Sequence, residues 1–243
     1  MVGVLPAEGA ATLMYKHAVI LAGGKGTRLR PLTDNLPKPM VPVSGQPFLY
    51  WQLLYLKQQG VTDVLLLVSY LADAISGHFA KHPIPGLNLR YALEDTPMGT
   101  GGALKHSVTV LPEIFWLLNG DSFLYTDLPS MAKQHDSLGM DGTLAVASPE
   151  VVPVPANLKC SEGLVVEYKK DAGPGYTEVD AGVYLLSRKI VESGPNGVFD
   201  IGAYWPPVIA QKKLGAFTVW DRFFDIGTLE RLHTFEKHLK DYF

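Results

Sequence analysis

The stretch HAVILAGGKGTRLR occupies residues 17–30. Its first six residues form an unbroken apolar run ending on Gly23 and Gly24, with Gly26 two further on. A continuous apolar run of that length reads as a strand covered on both faces, the habit of parallel sheets in α/β proteins. Glycines immediately after such a strand let backbone N–H groups approach an anion closely, because no Cβ stands in the way. Arg28 and Lys38 follow and can add charge-assisted hydrogen bonds, which points to a polyphosphate. Two common phosphate motifs do not fit. The P-loop order of glycine, lysine and hydroxyl is absent, and Leu29 stands where a dinucleotide fingerprint needs its third glycine. An acidic residue to hold a ribose about 20 positions further on is also missing, which excludes an NAD-linked reading. A plain tight turn is the competing reading of the loop taken alone.

Outward from this loop, strand and helix patterns alternate. QPFLYWQLLYLKQQG (46–60) reads as a helix with Pro47 near its start and Gly60 at its end. DVLLLVS (63–69), LNLRYALE (87–94) and EIFWLLNGD (113–121) read as strands, the last ending on Asp121. LADAISGHFAKH (71–82) and TGGALKHSV (100–108) read as helices. This alternation predicts a doubly wound, mixed and mostly parallel α/β sheet of the Rossmann-like kind. After about residue 143 strands dominate, with TLAVAS, GLVVEYKK and TEVDAGVYLL. GAFTVWDRFFDIG (215–227) reads as a late strand pair before a closing amphipathic helix. The expected organisation is a loose extension over 1–14, with Met14 as an alternative start, and a single domain over 15–243. Within it, about 17–142 carries the alternating pattern and about 143–243 is a smaller, strand-rich part.

Composition narrows the function. The chain has 243 residues, 47% hydrophobic, with a formal net charge of −3. That suits one sizeable α/β core and advertises no basic face for nucleic acid. One cysteine, Cys160, excludes a disulfide framework and fits a reducing cytoplasm. No apolar run reaches the roughly 18 residues a membrane helix needs, and the N-terminus lacks a signal-peptide pattern. The seven histidines show no metal-ligand spacing. Tyr50, Trp51 and Tyr55 on the first long helix read as core or as a contact with a second copy, leaving room for a homo-oligomer.

L-A-G-G-K-G-T-R-L-R-P-L-T followed by P-K-P-M-V-P-V resembles the signature of the sugar-1-phosphate nucleotidyltransferases. M-G-T-G-G-A-L (98–104), L-N-G-D-S (118–122), D-A-G-V-Y (180–184) and F-F-D-I-G-T (223–228) resemble the family's later motifs in the right order. The resemblance implies an α/β nucleotide site, Mg²⁺, and transfer of a nucleotidyl group from an NTP to a sugar 1-phosphate with release of pyrophosphate. About 17–142 would then bind the nucleotide and about 143–243 the sugar, with Leu21, Ala22, Gly23, Gly24, Gly26 and Thr27 lining the nucleotide. Arg28 would bind the β and γ phosphates, Lys38 the α-phosphate region, and Asp121 with Asp225 the metal. Glu94, with Gly99 and Thr100, would read the base. A carboxylate accepts both N1–H and N2–H₂ of guanine, which favours GTP.

On the sugar side the family's E-K-P triplet is missing. V-V-E-Y-K-K-D (165–171) aligns Lys170 with the sugar-phosphate lysine, and Lys169 is its competitor. Asn157 and Asp180 fall at sugar-contact positions. The glycine-rich turn and the missing E-K-P most resemble the D-glycero-α-D-manno-heptose-1-phosphate guanylyltransferases. Mannose-1-phosphate guanylyltransferases and N-acetylmuramate-1-phosphate uridylyltransferases are the alternatives. A catalytically inactive sugar-nucleotide sensor is a further reading, and the presence of Arg28, Lys38, Asp121 and Asp225 together weighs against it.

Overall fold

The computed structural model describes residues 13–24, 26–94, 96–152, 154–170, 172 and 174–243. Strand β1 (His17–Leu21) is followed by a short hairpin, β2 (Pro42–Val43) and β3 (Gln46–Pro47), and by α1 (Phe48–Gln58). Then come β4 (Asp63–Val68), α2 (Ala72–Lys81), β5 (Asn88–Leu93), α3 (Gly99–His106) and β6 (Ile114–Asn119). Next are β7 (Ser122–Leu124), α4 (Leu128–Leu138), β8 (Gly142–Ala147), β9 (Leu158–Ser161), β10 (Leu164–Tyr168) and β11 (Val179–Ser187). The chain closes with α5 (Arg188–Ser193), α6 (Trp205–Ala210), β12 (Leu214–Thr218), β13 (Phe223–Asp225) and α7 (Leu229–His238).

Nine strands form one sheet in the order β5-β4-β1-β6-β11-β8-β12-β10-β9. β5, β4, β1 and β6 are all parallel. β11 pairs antiparallel with β6 on one side and with β8 on the other. The expected doubly wound mixed sheet is therefore present, parallel through its first half and mixed beyond it. The strand order turns around between β1 and β6, and in such sheets the crevice beyond the strand ends at that point binds ligands.

The central strands explain themselves chemically. Val19, Ile20, Phe115, Trp116 and Leu117 are fully buried. Burying each such side chain contributes about 1.5–3 kcal/mol, so a sheet covered on both faces is the stable home of these runs. α1 starts at Pro47, packs Phe48, Leu49, Leu53 and Leu56 inward, and ends before Gly60, whose φ of +96° takes the left-handed turn.

Three boundaries differ from expectation. β6 ends at Asn119, so Asp121 stands in a turn rather than on the strand. The segment 215–227 holds two strands that do not pair with each other: β12 joins the main sheet beside β8, while β13 pairs with β7 in a separate two-stranded ladder. α4, capped by Asp127 accepting from Ser130 N at 3.1 Å, lies in a stretch where the sequence pattern gave no helix. Of the expected N-terminal extension, residues 1–12 lie outside the described residues, and Leu13 is buried with its Cβ close to Gly60.

Candidate active site

The loop after β1 leaves the sheet with Leu21 and Ala22, whose N–H bonds Leu67 O on β4 at 2.8 Å. At Gly23 a Cβ would lie 3.2 Å from Ser69 Cβ and 3.6 Å from Glu94 Oε2, so the bare backbone lets this loop pack beside Glu94. Gly26 has φ +63°, and a Cβ there would sit 2.9 Å from Lys38 Cβ. Thr33 Oγ1 donates to its carbonyl at 2.8 Å. Thr27 and Arg28, both exposed, then ride on a short 3₁₀ turn.

The turn after β6 meets this loop from the other side of the switch point. Gly120 N donates to Leu21 O at 3.0 Å, and a Cβ at Gly120 would come within 2.5 Å of that oxygen. Only glycine permits the approach. The turn carries Asp121, and Lys38 Nζ lies 2.7 Å from its Oδ2. Lys38 is only 7% exposed, whereas the Asp121 side chain is 47% exposed. A buried ammonium needs such a partner, since desolvation without one is costly.

Asp225 reaches the same place through the small ladder. It faces Ser122 across β13 and β7, and Ile226 N donates to Asp121 O at 3.0 Å. Asp225 Oδ1 accepts from Gly227 N at 2.7 Å, and Oδ2 from Arg231 Nη1 at 2.8 Å. Arg28 comes close too, for a Cβ on Gly227 would lie 3.6 Å from Arg28 Nη2. Asp121, half open to solvent in the turn before β7, and Asp225, at the end of β13, offer hard oxygens of the kind a divalent ion uses when it takes its remaining ligands from phosphates. Among the described residues no group of three or more acidic, histidine or cysteine side chains gathers to hold an ion by protein alone.

Between these elements lies a cavity of about 250 Å³. Leu21, Gly23, Gly24, Lys38, Glu94 and Asp121 line it, with Gly99, Thr100 and Gly120. Glu94 Oε1 accepts from Met98 N at 2.8 Å, which fixes the carboxylate toward the start of α3. Gly99 has φ +75°, and a Cβ there would strike Phe199 O at 2.5 Å. Of the expected residues, Leu21, Gly23, Gly24, Lys38, Glu94, Gly99, Thr100 and Asp121 line this crevice, whereas Ala22, Gly26, Thr27, Arg28 and Asp225 do not.

The sugar-side residues are not. Asn157, Lys170 and Asp180 do not line this cavity. Asn157 Oδ1 accepts from Asp180 N at 2.9 Å. Asp180 is half-buried, and its oxygens accept from Gly182 N at 3.0 Å and Tyr184 Oη at 3.1 Å. Burial lifts its carboxyl to about 6, against the lowering effect of those two bonds. Lys170 is ion-paired with Asp200.

Residues the sequence pattern did not single out shape the site. Phe199 O accepts from Gly101 N and Gly102 N at 3.0 and 3.2 Å, capping the start of α3. Ile201 N donates to Thr100 Oγ1 at 2.9 Å. The tetrapeptide F-D-I-G occurs at 199–202 as well as at 224–227, a signal that could have drawn attention to Asp200. Arg231 had no such signal, because its partner Asp225 is fixed only by the fold.

A parallel half-sheet with a glycine loop and the Lys38–Asp121 pair at its switch point is the frame of a nucleotide-binding α/β protein. The chain belongs to the nucleotidyl transferase family, whose model matches residues 17–157. It is 30% identical over 229 residues to a D-glycero-α-D-manno-heptose 1-phosphate guanylyltransferase of Aneurinibacillus thermoaerophilus, covering 93% of this chain and 99% of the relative. A protein of the same description from Campylobacter jejuni is 30% identical over 230 residues, covering 90% and 98%. The crystal structure of HddC from Yersinia pseudotuberculosis complexed with GMP-PN is similar at a TM-score of 0.76 and 32% identity, covering 91% of this chain and 97% of that one.

Proposed function

We propose that this protein is a guanylyltransferase that joins GTP to D-glycero-α-D-manno-heptose 1-phosphate, forming the GDP-sugar and pyrophosphate. The observation that carries this reading is the Lys38–Asp121 pair at the strand-switch point, in one cavity with Glu94. The full-length likeness to heptose 1-phosphate guanylyltransferases supports the sugar and the base.

The chemistry is an in-line displacement. A phosphate oxygen of the sugar 1-phosphate forms a bond to the α-phosphorus of GTP, and the bond from that phosphorus to the bridging oxygen of the β-phosphate breaks. The nucleophile is already an anion, so no general base is needed. The protein brings two anions together and offsets the charge that grows between them. Lys38 would turn from Asp121 to the α-phosphate. Arg28, exposed beside the glycine loop, would hold the departing pyrophosphate. Leu21, Ala22, Gly23, Gly24, Gly26 and Thr27 would cradle the nucleotide, with Glu94, Gly99 and Thr100 against guanine. A divalent ion held by Asp121 and Asp225, Mg²⁺ by the donor chemistry, would supply charge neutralisation on the phosphates. Asn157, Asp180 and Lys170 would serve the sugar half. Among the described residues no helix is long and apolar enough to cross a membrane, and a cytoplasmic setting fits an enzyme that consumes GTP.

The test is a pyrophosphate-release screen of GTP, ATP, UTP, dTTP and CTP against heptose, mannose, glucose and N-acetylmuramate 1-phosphates. Turnover is expected with GTP and the heptose. Preference for UTP would overturn the base assignment, and preference for mannose 1-phosphate would overturn the sugar.

A further inference from the structure

Gln52 breaks the apolar pattern of α1. It lies between Leu49, Leu53 and Leu56 on the buried side of the helix and is itself fully buried. A polar side chain in such a place is costly unless it is hydrogen-bonded. Gln52 Nε2 donates to two backbone carbonyls, Asn119 O at 2.8 Å and Ser122 O at 2.7 Å. The amide can be oriented only this way, since a flip would set its oxygen against two carbonyl oxygens. Among the described residues its Oε1 has no hydrogen-bond partner. The side chain gives up one bond of its own to make two on a single target.

That target is the turn carrying Asp121. Asn119 and Ser122 bracket Gly120 and Asp121, and Asn119, Gly120 and Asp121 all line the cavity. Gly120 N is tied to Leu21 O on β1, and Asp121 O to Ile226 N beside β13. Gln52 supplies the third tie, from the helix behind the cavity wall. The geometry points to Gln52 as a positioning residue. It clamps the Asn119–Ser122 turn so that the Asp121 carboxylate is held toward Lys38 and the phosphates, without touching substrate itself. This rests on the proposed role of Asp121 in nucleotidyl transfer. A leucine would satisfy the core equally well but would remove the side-chain donor that reaches both carbonyls.

Gln52→Met tests this, because methionine keeps the length and volume and removes both donors. Three readouts are needed: turnover at saturating GTP and sugar 1-phosphate, the Mg²⁺ concentration at half-maximal rate, and Mn²⁺ binding in the presence of a non-hydrolysable GTP analogue. The last is followed by the free-ion EPR signal, with Asp121→Asn as the floor. A positioning role predicts at least a tenfold fall in turnover, a several-fold rise in the Mg²⁺ requirement and several-fold weaker Mn²⁺ binding. Metal-free nucleotide binding should stay as in wild type. Wild-type turnover, Mg²⁺ requirement and Mn²⁺ affinity in a folded variant would overturn it and make Gln52 a core spacer. If Gln52→Met does not fold, Gln52→Glu answers the same question. Its ionised carboxylate cannot donate, so turnover relative to wild type should be low at pH 8. The ratio should recover toward pH 6 as the buried carboxyl gains a proton and can donate one bond. A ratio independent of pH would sink the proposal. Loss of Mn²⁺ binding with no turnover in wild type would instead remove the transferase reading and leave the clamp standing.

Discussion

The nucleotide-side residues and the sugar-side residues behave in opposite ways. Around β1 and β6 most of the expected residues face one cavity, with Lys38, Glu94 and Asp121 facing it from three elements, while Asp225 outside it is held by Gly227 and Arg231. In the β8–β11 half the expected residues are taken up by their own neighbours. Asn157 holds Asp180, Asp180 holds Gly182 and Tyr184, and Lys170 holds Asp200. Recognition of phosphate uses backbone amides and strand-end charges, which a parallel sheet presents as a matter of geometry. Recognition of a sugar has no such template, so the same kinds of side chain are equally useful as internal supports.

The largest effect should fall on the nucleotide side. Lys38→Met removes a buried cation from the site of charge build-up, and turnover should fall by about 10²–10³-fold, the scale for one lost stabilising group. Calorimetry should show GTP binding reduced much less than turnover. Abolished binding with normal single-turnover rates would make Lys38 a ground-state clamp.

Asp180 offers the sharpest contrast with Lys38, because the structure has it supporting the fold. Its carboxyl titrates at about 6 in the folded protein, above its ordinary value of 3.8, so the folded state holds the proton more tightly. Stability from this group is then full below about pH 4 and is lost as the pH rises toward 6. Asp180→Asn removes the titration. The stability of wild type relative to the variant should therefore fall between pH 4 and pH 7, by up to about 3 kcal/mol. Urea unfolding at several pH values checks this. A variant with unchanged pH dependence but a large rise in the KM for sugar phosphate would put Asp180 in the sugar site and break the comparison.

A smaller change is expected at Glu94. Its replacement by glutamine sets an NH₂ donor against a guanine donor, which costs about 1–3 kcal/mol. The GTP-to-UTP ratio of kcat/KM should drop by roughly 5- to 150-fold by that estimate. Initial rates with each nucleotide at one fixed sugar phosphate measure it, and an unmoved ratio would take Glu94 out of the base site. The smallest effect separates Lys169 from Lys170. The Lys170–Asp200 pair is exposed on both sides, so Lys170→Met should change stability by no more than about 1 kcal/mol. A rise in sugar-phosphate KM confined to Lys170→Met would sharpen the sugar half, and one confined to Lys169→Met would reassign it.

Legibility in the sequence followed the range of the interactions. The β1 run and the glycine loop after it are local, and each was readable from a few adjacent residues, whereas the Gly120–Asp121 turn reads in the sequence as the end of a strand. Gln52 was not, because its partners lie beyond two intervening strands in sequence and a single glutamine in an apolar helix carries no periodic signal. Arg231 and the Phe199 carbonyl that caps α3 were hidden for the same reason. His135, buried with Nδ1 2.9 Å from Thr143 Oγ1, stood in a helix the pattern had not revealed. The order β6-β11-β8 also depends on long-range antiparallel pairing that no motif encodes.

The ladder between β7 and β13 has a consequence for synthesis. The turn that holds Asp121 is made well before Phe223–Asp225, the strand that pairs with β7 and brings Asp225. Until those residues emerge, the edge of β7 is bare and one of the two carboxylates is missing. A chain cut before Phe223 keeps the strands of the parallel half-sheet and the glycine loop but lacks the strand that pairs with β7. With Asp225 in the proposed phosphate site, a chain cut before Phe223 is expected to lose turnover, which a truncation assay measures.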